Sequence, residues 1–392
     1  MSKTDYTYAK VNRSISSPII RDDNGNLEVF ICRTPINIDD RYINYNEIIK
    51  QFKFKDNKKY CPKLYKIENE KPIFRLGSNI ILKKPIGTQG GYGVIYLSSF
   101  KESTQSLFKY AIKIFKEKDN YGLEDLRDLE LEFAEAVTKL VINKICPHFL
   151  ITYKTIKCNN FDYYKSNKHS EYSGTHSSSR GNHSLQAYKN NSDVEEYYPY
   201  LLIPGSNIHI IISELANGDL KMLIDNPTIT LNIELFSNIL IQIFMSLAFF
   251  NYKLKAFHLD THCGNFLYHK INLGGYFHYN ILGNDYYIKN IGYLWLLCDF
   301  GRASKKLGMF KVNMDFNSLL SDLDDIETLN KPIKDLINNL LSILRSFNES
   351  KYTDENYRHY LNHCLDYFVS IGLINKSISE SDIKINSEPY YL

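Results

Sequence analysis

The chain has 392 residues, 44% hydrophobic, 23% charged and 14% aromatic, a balance that excludes a wholly disordered or collagen-like polymer. That length suits one large bilobed enzyme or two ordinary domains. The 47 Lys+Arg against 44 Asp+Glu leave a net charge of +3, too small for a dedicated nucleic-acid binder held by phosphate neutralisation, although a local basic patch stays open. The longest mostly apolar stretch, Ile239 to Phe250, contains Gln242 and Ser246 and falls short of the roughly 20 residues that span a bilayer, so a buried helix is expected there. The first ten residues carry no apolar signal core and no myristoylation glycine, so a cytoplasmic location without membrane attachment is expected. Cys32, Cys61, Cys146, Cys158, Cys263, Cys298 and Cys364 are odd in number and scattered, with no C-x-x-C pair, so reduced thiols and no zinc site are expected.

Residues 1–78 mix short apolar runs with polar punctuation and show no clear period, and form an N-terminal extension of unassigned structure. Strands are predicted at Ile80–Leu82, Val94–Leu97 and Tyr110–Phe115, as a small antiparallel sheet. From Glu124 to Ile145, apolar residues at three- and four-residue steps predict an amphipathic helix ended by Pro147. Strands are predicted again at Phe149–Ile156 and Ile208–Ser213. Between them, residues 159–196 are rich in Ser, Asn, His, Lys and Tyr, the composition of an insertion that cannot bury enough apolar surface to order itself. His169, His176 and His183 recur there every seven residues without a carboxylate or thiol partner, a weak metal signal. Helices are predicted at Leu231–Lys255, at Phe316–Phe347 around a break at Pro332, and at Asp354–Ile371.

Five stretches carry candidate chemistry. Gly87, Gly90, Gly91 and Gly93 form a glycine-rich turn between two strands, where backbone N–H groups can approach phosphate oxygens. By itself this is as readily an ordinary hairpin. In Ala111-Ile112-Lys113 a lysine lies between apolar strand residues, where an unpaired ammonium is costly to desolvate. At 100° per residue Glu130 falls within the stripe of Phe133, Val137 and Val141, opposite to Glu132 and Glu135, so it is the candidate partner. The run from Ser213 to Leu220 leaves a hydrophobic strand as a polar connector. Asp260 and Asn265, five residues apart in HLDTHCGN, can direct a carboxylate and an amide oxygen into one cavity. An apolar run then ends in Asp299-Phe300-Gly301, which puts a carboxylate suited to a metal at the end of a buried strand.

Taken in order, these motifs resemble the eukaryotic-type protein kinase superfamily, over roughly residues 79–345. Tyr268 to Leu297, with GGYFHY and DYYIKNIGYLW, and NKICPHF near Pro147 look like the kinase-like proteins of large nucleocytoplasmic DNA viruses. The resemblance implies an α+β, bilobal kinase-like fold, with an N-lobe of a small antiparallel sheet and one helix over 79–216 and a mainly helical C-lobe with a C-terminal tail over 217–392. It implies an ATP- and Mg²⁺-dependent phosphotransferase acting on Ser/Thr hydroxyls of a protein substrate, with no nucleic-acid or membrane partner. Lys113, with Ala111 and the glycines, is then expected at the phosphates and Glu130 as its orienting partner. Asp260 is expected to accept the hydroxyl proton, and Asn265 and Asp299 to hold Mg²⁺. The carbonyl of Glu214 and the N–H of Ala216 are expected at adenine.

The chain departs from the family pattern at several points. Thr88 stands where the first family glycine aligns. Leu259 replaces the usual arginine, so control by loop phosphorylation is not expected. His262 takes the place of a lysine that neutralises the γ-phosphate, as D-x-H does in aminoglycoside and choline kinases, and no A-P-E follows Gly301. A small-molecule kinase and a pseudokinase that binds nucleotide or a partner are therefore the alternatives.

Overall fold

The computed structural model describes residues 19–21, 27–29, 37–50, 52, 57–68, 71–77, 80–86, 93–100, 109–116, 126–161, 206–229 and 231–392. Strands β1 (Ile19–Arg21) and β2 (Leu27–Val29) pair with each other. Helix α1 (Ile38–Ile49) starts from a reciprocal cap in which Asn37 accepts from the Asp40 N–H and Asp40 from the Asn37 N–H. Then come β3 (Lys63–Glu68), β4 (Lys71–Leu76), β5 (Ile80–Pro85), β6 (Val94–Phe100) and β7 (Lys109–Lys116). Helix α2 (Leu126–Ile142), β8 (Thr152–Phe161) and β9 (Ser206–Glu214) follow, and the seven strands form one antiparallel sheet in the order β3-β4-β5-β6-β7-β9-β8.

Although β3 and β8 are the outer strands in this order, Cys61, just before β3, is disulfide-bonded to Cys158 in β8, with Cα atoms 5.8 Å apart. The sheet therefore curls until its edges meet. Its concave side holds one apolar core, including Phe74, Leu82, Tyr96, Ile112, Ile156, Ile210 and Ile212. The bond corrects the expectation of reduced thiols for this pair. A 97-residue separation reveals nothing until strand order brings the two edges together. Cys146, Cys263, Cys298 and Cys364 are free thiols. Strands β3 and β4 also carry the sheet into residues assigned above to an extension.

Beyond the sheet lie β10 (Gly218–Asp219), α3 (Leu220–Ile224), α4 (Ile233–Lys253), β11 (Phe266–Lys270), β12 (Tyr276–Ile281), β13 (Asn284–Lys289) and β14 (Tyr293–Leu297). Helices α5 (Met314–Asp324), α6 (Lys331–Leu344) and α7 (Asp354–Ser370) and strand β15 (Tyr390–Tyr391) complete the chain. Two three-stranded sheets, β10-β11-β14 and β13-β12-β15, lie among these helices. A second apolar core unites this half, and α4 runs through it with every residue from Phe236 to Asn251 buried. Length and composition would let that helix cross a membrane, but 83% of its apolar window is covered by the fold, consistent with a core helix.

Several predicted boundaries move. Helix α2 ends at Ile142, ahead of Pro147, where Lys144 takes a φ of +56°. Pro332 opens α6 behind the Asn330 cap rather than breaking a longer helix. Asn159–Phe161 extend β8, while the rest of the 159–196 insertion, its three histidines included, lies outside the described residues.

Non-reducing peptide mapping should recover a linked Cys61–Cys158 pair. Cys158→Ser should lower stability by about 2–4 kcal/mol in urea titrations.

Candidate active site

Strand β7 alternates. Tyr110, Ile112 and Ile114 enter the concave core, so Lys113 and Phe115 face the other side, where Phe115 packs with Leu131 and Ala134 of α2 and with Ile211. The Lys113 ammonium meets Glu130 Oε1 at 2.7 Å and Asp299 Oδ1 at 2.7 Å. Burial depresses the lysine, but the two carboxylates outweigh it and raise its pKa. Burial likewise raises the Asp299 carboxyl, and Lys113 brings it below its ordinary value. Glu132 and Glu135 turn away, to Lys305 and Thr155. Gly93 makes room for this lysine, since a Cβ there would stand 3.3 Å from Lys113 Cε and 3.0 Å from Phe115 Cβ.

The register of β11 and β14 pairs Phe266 with Leu297, and the Cys298 N–H donates to the Asn265 carbonyl at 3.1 Å. Asn265 and Asp299 thus leave the same end of one ladder. The Asn265 amide nitrogen donates to the Asp260 carbonyl at 2.8 Å, which fixes its plane. No described residue donates to Asn265 Oδ1 or to Asp299 Oδ2, and the Asp299 side chain is 38% exposed. Two such oxygens fit Mg²⁺, which takes few protein ligands and completes its shell with phosphate and water. Among the described residues no group of three or more His, Cys, Asp or Glu could form an all-protein metal cage.

The loop bearing Asp260 is held by a residue that sequence reasoning missed. Asp315, buried in the first turn of α5, accepts from the His258 N–H at 2.8 Å, the Leu259 N–H at 2.9 Å and Asn251 Nδ2 at 2.9 Å. His258 Nε2 meets the Cys298 carbonyl at 2.9 Å, tying the loop to the end of β14. Leu259 and Asp299 both adopt left-handed φ angles, +60° and +61°, strain that persists only where surrounding contacts enforce it. The only sequence trace of Asp315 is that it ends the acid-free run 300–314.

Asp260 Oδ1 receives Arg302 Nη1 at 3.2 Å, a cation that sequence reasoning also passed over. His262 Nε2 stands 4.0 Å from Asp260 Oδ2, while its Nδ1 accepts from the Gly264 N–H and caps the short turn Cys263–Asn265. The Glu214 side chain turns inward to Arg41, His269 and the Ile151 N–H, so only its main chain is left for a ligand. Burial pushes that carboxyl up, but Arg41 and His269 prevail and bring it down to about 2. Ala216 is half-buried next to Asn217, whose N–H donates to the Tyr268 carbonyl. Ala111 accepts from Ser213 Oγ at 3.2 Å, which places it beside the connector. Gly87, Gly90 and Gly91 lie outside the described residues.

No family model matches the chain, and no curated protein matches it. A crystal structure of the PF14_0431 kinase domain is similar at 16% identity, over 58% of this chain and 52% of that one, with a TM-score of 0.33. The chain thus spans about half the length of that structure. The α+β arrangement of a curled antiparallel sheet with helices is compatible with a kinase-like fold.

Asp315→Ala removes the acceptor of three donors, and should cost about 3 kcal/mol or more in denaturant titrations. Glu214 ionises more readily folded than unfolded, so its contribution is complete above its ordinary value of 4.5 and is lost as pH falls toward about 2. The stability lost between pH 6 and pH 3 should accordingly be smaller in Glu214→Gln than in the parent.

Proposed function

We propose that this chain is a kinase-like phosphotransferase that uses Mg²⁺ and ATP and acts on Ser/Thr hydroxyls of a protein. The observation that carries the reading is the Lys113 ammonium shared at 2.7 Å by Glu130 and Asp299, with Asn265 and Asp260 on the same loop-and-strand end. Phosphoryl transfer asks for positioning and charge neutralisation more than for covalent chemistry, and these groups offer both.

Glu130 and Asp299 fix the Lys113 ammonium and leave its remaining donor for phosphate oxygens. Asp260 accepts the acceptor hydroxyl's proton as that oxygen bonds to phosphorus and the bond to the leaving ADP oxygen breaks. Asn265 Oδ1 and Asp299 Oδ2 would hold Mg²⁺, which when bound neutralises phosphate charge. The main chain of Glu214 and Ala216 would receive adenine. Arg302, with a 55% exposed side chain on Asp260, can swing to the transferred phosphoryl and supply a permanent cation there.

A second reading, transfer to a small molecule, is favoured by the shortness of the segment after Asp299. Residues 300–314 alone separate it from Asp315 of α5, which is bonded to the Asp260 loop, and this leaves little chain for a peptide platform.

Purified protein should transfer γ-phosphate to itself or to a basic test protein, and Asp260→Asn should reduce the rate about 10²–10⁴-fold. Equal labelling by parent and variant would remove Asp260 as the base. Arg302→Ala should lower kcat with little change in the KM for ATP, and Arg302→Lys should restore part of it. ATP consumption stimulated by an aminoglycoside, choline or a nucleoside would favour the second reading.

A further inference from the structure

Helix α1 lies across both apolar cores, with Ile38 in the helical one and Ile48 in the sheet. Between them Arg41 is 1% exposed and spends its whole fork on the connector and the chain ahead of β8. Its Nε reaches Glu214 Oε2 at 3.1 Å and its Nη2 reaches Glu214 Oε1 at 2.5 Å. Nη1 donates to the Pro147 carbonyl at 2.6 Å and Nη2 to the Phe149 carbonyl at 2.5 Å. The same carboxylate accepts from the Ile151 N–H at 2.8 Å and meets His269 Nε2 of β11 at 3.0 Å. The Glu214 N–H donates to the Ile151 carbonyl at 3.0 Å, so main chain and side chain are held together.

Stability alone gives little reason for this arrangement, because well-packed apolar residues commonly do as well as a buried ion pair. The fork does something apolar packing cannot. It fixes one residue of the connector in direction as well as depth, against elements of both cores. We propose that Arg41 is a positioning residue of the nucleotide site, setting through Glu214 where the main chain of Glu214 to Ala216 stands toward adenine. This rests on the nucleotide reading above, and it makes α1 a working part of the site.

The test is calorimetric titration of the full chain with adenosine, which probes the connector, and with magnesium tripolyphosphate, which probes the Lys113 end. Arg41→Lys keeps the charge but loses the fork. It should weaken adenosine about tenfold, the worth of roughly one hydrogen bond to a charged group, and leave tripolyphosphate within about twofold. Equal weakening of both probes, or none, at a temperature where the variant is folded overturns the inference. If Arg41→Lys does not fold, the neutral pair Arg41→Gln with Glu214→Gln is held to the same comparison. A parent chain that binds neither probe defeats the nucleotide reading and this inference with it. A parent that binds both, beside a variant that loses no selectivity, defeats this inference alone.

Discussion

A buried ammonium must be paired, and the site is organised around that requirement. Lys113 sits on the face of β7 turned away from the sheet's own core, where leaving it unmatched would cost several kcal/mol. Its two partners come from elsewhere, Glu130 from α2 and Asp299 from the end of β14. The triplet forms only when α2 is seated on the sheet and β14 is in register with β11. One electrostatic demand therefore couples a strand, a helix and a ladder of the other half.

Two further buried carboxylates work in the same way. Asp315 gathers backbone N–H groups from the Asp260 loop, and Glu214 gathers Arg41, His269 and a backbone N–H at the connector. Each acid sits where the backbone leaves regular structure and its polar groups would otherwise lack partners. The left-handed φ angles of Leu259 and Asp299 fall within reach of these contacts, with the Leu259 N–H on Asp315 and the Asp299 carboxylate on Lys113. Both are thus held in backbone conformations that a free loop would relax.

The parts of the site legible in sequence were those governed by short-range periodicity. Strand alternation placed Lys113 among apolar neighbours, and the helical wheel separated Glu130 from Glu132 and Glu135. The five-residue step from Asp260 to Asn265 and the apolar run ending at Asp299 are also local patterns. What escaped was long-range. Arg41 lies 173 residues from Glu214, and Asp315 lies 57 from His258. Neither distance leaves a mark in a window of the chain. The Cys61–Cys158 bond escaped for the same reason, and β3 and β4 because Leu64-Tyr65 and Ile73-Phe74 put apolar residues side by side and break the alternation of a strand. Helix α4, by contrast, falls within two residues of its predicted bounds at each end, since its apolar run is long and the Asn232 cap is local.

By itself, then, the sequence determined the run of strands and helices from β5 to β9, the long helices that follow, and the candidate residues in linear order, because those follow from side-chain chemistry at spacings of two to five. Only the tertiary structure decided that the sheet curls edge to edge, that the chain before it supplies α1 and two strands, and which donor satisfies each buried carboxylate. Those outcomes depend on desolvation, which is set by everything that surrounds a group in space and by very little of what adjoins it along the chain.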